Sequence, residues 1–134
     1  MGYTTYNRMV LNHIGIVDES EEAAVSFYAG FLGLEKTREF VVAAGLSEQL
    51  FSMSREIKVL VFEAGGIKIE VFICPDCLPP SPELRHIGLL VEDLPGILEK
   101  ARRSGVEVIE GSTGEKTVYF LRDFSGNLIE IKAR

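Results

Sequence analysis

Two short stretches of this chain repeat each other, and they constrain it more than any other feature. Leu11-Asn12-His13-Ile14-Gly15-Ile16 and Leu84-Arg85-His86-Ile87-Gly88-Leu89 each set a histidine in an apolar run ahead of Ile-Gly and a further aliphatic. These are the only two histidines in the chain. Each is followed downstream by a second matching stretch, Ile67-Lys68-Ile69-Glu70-Val71 and Asn127-Leu128-Ile129-Glu130-Ile131. The order is therefore His, Glu, His, Glu, one pair in each half. The histidines lie 73 residues apart and the glutamates 60. The 13-residue difference falls within a stretch of weak pattern, residues 43–55, where insertions belong.

The pattern between these anchors predicts a duplicated β-α-β-β-β unit. In the first module, residues 9–74, a strand is expected from Met9 to Val17, with Leu11, His13, Gly15 and Val17 on one face. Asp18 followed by Glu21 has capping-box spacing. A helix from about Ser20 to Phe31 should bury Ala23, Ala24, Phe27, Tyr28 and Phe31. Strands follow at 34–42, 58–63 and 67–73, the last two closed by a Gly65-Gly66 turn. Residues 45–53 fit one short helix with Leu46, Leu50 and Met53 on one side. The segment Cys74 to Glu83 holds four of the five prolines and reads as a linker, 75–82, between modules. The second module, 83–134, restarts with a strand at 84–91. A helix capped by Asp93 follows, with Leu94, Ile97, Leu98 and Ala101 inward. Strands at 106–110, 117–122 and 128–132 complete it. The fold class is α+β, two tandem modules in one domain.

Two imidazoles and two carboxylates at matching module positions suit a divalent first-row metal such as Ni, Co, Zn, Mn or Fe. Glutamate amid aliphatic strand residues is costly unless paired or coordinated. His13, Glu70, His86 and Glu130 are thus the candidate ligands. The net charge of −6 and the absence of a Lys/Arg cluster argue against nucleic acid and anionic membranes. No apolar run reaches the roughly 18 residues of a spanning helix, and Met1 to Met9 lacks the apolar region of a signal peptide. Two cysteines do not make a disulfide framework, so a reducing, cytoplasmic setting is expected. Cys74-Pro-Asp-Cys77 is a lone C-x-x-C in a proline-rich linker and reads as an ordinary turn. The loop 110–117 lacks phosphate-loop spacing.

Taken together, NHIGI, SFYAGFLGLE, IKIEVF, RHIGLLVEDL and FLRDFSGNLIEIK resemble the vicinal oxygen chelate superfamily, the glyoxalase/bleomycin-resistance/dioxygenase fold, over about Val10 to Arg134. The resemblance implies a sheet curled around a metal cleft and, in many members, a homodimer. Its His, Glu, His, Glu set is similar to glyoxalase I and to methylmalonyl-CoA epimerase. That similarity implies a lyase or isomerase moving a proton beside a metal-chelated carbonyl or thioester, with Glu130, or else Glu70, as the base. Two positions depart from glyoxalase I. Val17 stands where that enzyme has an arginine for glutathione, and Cys74 stands where it has an asparagine. An extradiol dioxygenase would use His13, His86 and Glu130 alone, and a drug-binding relative would need no metal.

Overall fold

The computed structural model describes residues 9–78 and 84–134. The N-terminal residues 1–8 and residues 79–83 of the linker lie outside the described residues, and so do the expectations that fall on them. The elements run β1 (Ile14–Asp18), α1 (Glu21–Ala24, continuing into π-helical turns over Val25–Phe31), β2 (Glu35–Val42), α2 (Ala44–Phe51), β3 (Ile57–Ala64) and β4 (Ile67–Ile73). They resume with β5 (His86–Val91), α3 (Leu94–Arg103), β6 (Val108–Ser112), β7 (Thr117–Arg122) and β8 (Leu128–Ala133). The strands form two four-stranded mixed sheets, ordered β1-β4-β3-β2 and β5-β8-β7-β6. The α+β fold class and its repeat are therefore those read from the sequence.

The duplication extends to the register. β1 runs parallel to β4 with Gly15 beside Glu70, and β5 runs parallel to β8 with Gly88 beside Glu130. Each sheet closes with antiparallel hairpins. Gly65 and Gly66, at φ +40° and +89°, make the two-residue turn between β3 and β4. Both central positions of such a turn need positive φ, which glycine adopts without steric cost.

The core lies between the helices and one face of each sheet. Ile69 and Val71 of β4, Leu60 and Phe62 of β3, and Ile129 and Ile131 of β8 are buried there. Period-2 alternation turns Glu70 and Glu130 to the opposite face. The wide π-helical turns carry Phe27, Tyr28 and Phe31, all buried. Tyr28 packs on Phe62 of the first sheet, while Phe27 meets Phe124 of the second module edge-on with centroids 5.6 Å apart. One helix thus fastens both modules. α3 buries Leu98 and Ala101, is capped by Asp93 at 3.0 Å from Gly96 N, and carries Lys100, Arg102 and Arg103 in its last turn, where cations complement the helix dipole.

Four local expectations are corrected. β1 begins at Ile14, and Met9, Val10 and Leu11 before it are strongly exposed. Ser20, not Asp18, caps α1, its hydroxyl accepting from Ala23 N at 3.1 Å. Asp18 is instead drawn into the interior, for a reason given below. On α2 the apolar side marked by Leu46 and Leu50 is exposed while Ser47 is buried. Phe51, at the end of α2, meets Phe72 of β4 edge-on with centroids 5.7 Å apart. Cys74 to Cys77 does form a turn, Cys77 N donating to Cys74 O at 3.0 Å, but it is not an ordinary one: a disulfide closes it, with Cα atoms 5.2 Å apart.

A buried polar knot ties the end of β1 to the β7–β8 turn. Asn127 Nδ2 donates to Val17 O, Asp18 Oδ1 and Asp123 Oδ2 at 2.7, 2.8 and 2.9 Å. Tyr28 OH donates to Asp123 Oδ2 at 2.8 Å, and Asp123 Oδ1 accepts from the backbone of Ser125 and Asn127. Asp18 Oδ2 has no donor. Burial first, and then the adjacent Asp123 carboxylate, push the Asp18 carboxyl up to about 9 from 3.8. Burial and the neighbouring carboxylate thus favour the uncharged, protonated form of Asp18. The same burial and the Asp123 charge raise Tyr28, so its hydroxyl stays a donor.

Candidate metal centre

The shared register brings each predicted His to its own Glu. His13 Nδ1 stands 3.4 Å from Glu70 Oε2, and His86 Nε2 stands 3.7 Å from Glu130 Oε1. His13 and Gly15 lie on the same face of the chain entering β1, and Glu70 rises beside Gly15 from the neighbouring strand. His86, Gly88 and Glu130 repeat this arrangement. A Cβ built on Gly88 would meet nothing within 4 Å, so the floor beside Glu130 is open. The carboxylates are the less exposed members of each pair, with side chains at 16% and 21% against 40% and 38% for the histidines.

The two imidazoles are set differently: His86 turns its unbonded nitrogen to its glutamate, whereas His13 turns Nδ1, the nitrogen that also bonds Asn12. Nδ1–H of His86 donates to Leu84 O at 2.8 Å, which leaves the lone pair on Nε2, the nitrogen that points to Glu130. Its ring is also held edge-on against Phe120 with centroids 5.0 Å apart. His13 Nδ1 bonds Asn12 Oδ1 at 2.7 Å, leaving Nε2 available. Two outer partners, Asn12 and the Leu84 carbonyl, and the ring of Phe120 were missed in the sequence. Asn12 and Leu84 each lie within two residues of a histidine and could have been found by asking what holds its second nitrogen.

The two pairs do not close into one four-donor group within a chain. Among the described residues, the group of three or more His, Cys, Asp or Glu donors lying within 4.8 Å of one another is Cys74, Asp76 and Cys77. A cleft of about 240 Å³ is lined by Gly15, Val17, Cys77, His86, Asn127 and Leu128, among others; of the four candidate ligands, His86 borders it.

The Glyoxalase/Bleomycin resistance protein/Dioxygenase superfamily model matches residues 10–131. The chain belongs to this superfamily. A search of curated proteins finds no match. Among solved structures, the glyoxalase family protein of Bacillus cereus superposes with TM-score 0.73 at 17% identity, covering 98% of each chain. The trypanothione-dependent glyoxalase I of Leishmania major gives TM-score 0.66 at 17% identity over 96% of this chain and 87% of its own. A single-residue mutant of FosX, a fosfomycin resistance protein of Listeria monocytogenes solved with Mn(II) and 1S,2S-dihydroxypropylphosphonic acid, gives 0.66 at 16% over 94% and 90%. At these identities the likeness is one of fold. This glyoxalase-superfamily chain has no described helix long and apolar enough to cross a membrane.

Proposed function

We propose that this protein is a metal-dependent lyase or isomerase of the glyoxalase type, moving a proton next to a carbonyl of a small ketone, aldehyde or thioester. The observation that carries the reading is the repeated placement of His13 by Glu70 and His86 by Glu130, in identical register on the two open sheet faces. Half-buried carboxylates beside imidazoles with a free nitrogen form a donor set suited to a divalent cation. The FosX mutant of L. monocytogenes, of the same fold, was solved with Mn(II). Because each pair stands apart, we place the complete centre between two copies, one giving His13 and Glu70 and the other His86 and Glu130. The strongly exposed Leu11 and Leu84, each two residues before a histidine, suit burial at such a contact.

A divalent cation held by these four residues would supply electrophilic stabilisation of the oxygen on which charge develops. The chain's own residues do the rest. Glu130 takes the proton from the carbon beside the carbonyl and returns it to the product. Glu70 is the alternate base. Phe120 holds His86 and excludes water from one side. Val17, apolar at the cleft wall, supplies no cation for a glutathione carboxylate.

The test is metal content of protein purified without added metal, repeated for Glu70→Ala and His86→Ala. Roughly one equivalent per chain, lost in both variants, is expected. Less than about one tenth of an equivalent, with no uptake of Ni, Co or Zn, would sink the enzyme reading in favour of a metal-free binding protein. Loaded protein is then assayed with the methylglyoxal–glutathione hemithioacetal and with methylmalonyl-CoA, which separates the lyase from the epimerase.

A further inference from the structure

The disulfide Cys74–Cys77 sits where a structural staple has little to do. It closes only the turn in which Cys77 N already donates to Cys74 O at 3.0 Å. Cys74 follows β4, is 3% exposed, and is anchored by its N–H to Asp18 O at 2.9 Å. Cys77 is half-buried and lines the cleft together with Gly15, Val17 and His86. Both sulfurs face one cation. Arg55 Nη2 lies 2.8 Å from Cys74 Sγ and 3.0 Å from Cys77 Sγ. Its other nitrogen, Nη1, is held by Asp76, at 3.0 Å from Oδ1 and 3.1 Å from Oδ2. Arg55 arrives from the connection between α2 and β3, which only the first module possesses.

We propose that Cys77 and Cys74 are a redox-active dithiol–disulfide pair on the cleft wall, Cys77 attacking and Cys74 resolving, with Arg55 stabilising the thiolate and Asp76 aiming Arg55. A thiolate is the nucleophile in thiol–disulfide exchange, and a guanidinium against the sulfur favours that form. The accessible sulfur is that of Cys77. The chemical partner is a small disulfide, RSSR. The Cys77 thiolate attacks one of its sulfurs, a Cys77–S–S–R bond forms, and RS⁻ leaves. Cys74 then loses its proton and attacks the Cys77 sulfur, releasing a second RS⁻. The two protons of the protein dithiol end on two RSH, so the protein loses two electrons and RSSR gains them.

A metal bound by Cys74, Asp76 and Cys77 is the competing use of the same three side chains. Arg55 argues against it. The guanidinium already contacts all three donors, and a divalent cation there would stand against a fixed positive charge.

The test uses the full chain, chelated and reduced, so that it is independent of the His/Glu centre. Thiols are counted during titration with glutathione disulfide. Wild type should fall from two thiols per chain to none. Mass spectrometry should find a glutathione adduct on Cys77 of Cys74→Ser, and far less on Cys74 of Cys77→Ser. Arg55→Gln, which leaves both sulfurs in place, should slow iodoacetamide alkylation of Cys77 near neutral pH about tenfold, and Arg55→Lys should restore part of the rate. Two thiols surviving excess disulfide would overturn the proposal. So would an unchanged alkylation rate in Arg55→Gln, or stoichiometric zinc on the reduced pair that blocks alkylation.

Discussion

The two modules carry the same strand order, the same parallel register and the same His–Glu pairing, yet their open faces differ. In the first module α2 covers the outer part of the sheet, where Phe51 packs on Phe72 and Val59 and Val61 are buried. In the second, a short β6–β7 connection replaces α2, and Val118 and Phe120 are only half-buried. The cysteine pair and its arginine also belong to the first module alone. Duplication has preserved the placement of each His beside its Glu, which strand register dictates, though His13 turns Nδ1 and His86 Nε2 to the carboxylate. It has not preserved the surroundings, which connections supply. The first half therefore presents a walled site and the second an open one.

The polar knot is the sharpest asymmetry, because Val91 occupies the second-module position corresponding to Asp18. Asp123→Ala would strand the Tyr28 hydroxyl, the Asn127 amide and two backbone N–H groups at the seam between modules. A loss of about 3–4 kcal/mol in urea unfolding is expected. A loss below about 1 kcal/mol would mean that the modules do not depend on that seam.

Next in size is the ligand comparison. If the pairs are equivalent, Glu70→Ala and Glu130→Ala should weaken metal binding by similar factors, each roughly 100-fold or about 2.7 kcal/mol by calorimetry. A large effect from one alone would confine the centre to one module. At saturating metal, Glu130→Ala should still abolish turnover if Glu130 is the base, whereas Glu70→Ala should recover part of it.

Asp18 predicts a pH slope. Its folded carboxyl titrates near 9 against 3.8 when unconstrained, so between about pH 4 and 9 the folded chain binds one more proton than the unfolded chain. Stability from this group is full below about pH 4 and declines as pH rises towards 9, by about 1.4 kcal/mol per pH unit for one whole proton. Asp18→Asn keeps an acceptor for Asn127 and places a permanent donor towards Asp123. Unfolding measured from about pH 5 to 8 should then lose this slope, and a slope equal to wild type would overturn the assignment of the proton.

The smallest effects compare the caps. Ser20→Ala and Asp93→Ala each remove one bond to a helix N–H, at 3.1 and 3.0 Å, and each should cost about 1 kcal/mol. A much greater loss for Ser20 would mean that α1, which touches both modules, passes its fraying on to the core.

How much of this is legible in the sequence follows from which forces are local. The repeat and the strands follow from period-2 alternation, which a one-dimensional string records; alternation leaves open which face Glu70 and Glu130 take, and the burial of Ile69, Val71, Ile129 and Ile131 decides it. The capping spacing of Asp18 misleads because it is a local signal, whereas Asp123 and Asn127 reach that residue from the far end of the chain, Asn127 from 109 residues away. The apolar stripe of α2 misleads because a weak stripe on an eight-residue helix does not fix which side packs: Leu46 and Leu50 stay exposed while Ser47 is buried. Arg55 carries no signal of its role, being 19 and 22 residues from the sulfurs it faces.

What the amino-acid order determined by itself was the duplicated fold, the superfamily likeness and the pairing of each histidine with one glutamate, because hydrophobic alternation and strand length leave few alternatives. Tertiary structure alone decided that Asp18 is buried beside a second carboxylate, that Arg55 meets the cysteine pair, and that the two His–Glu pairs stand apart within a chain. Those outcomes depend on how two sheets and their connections settle against a shared core, and packing between distant segments has no period to read.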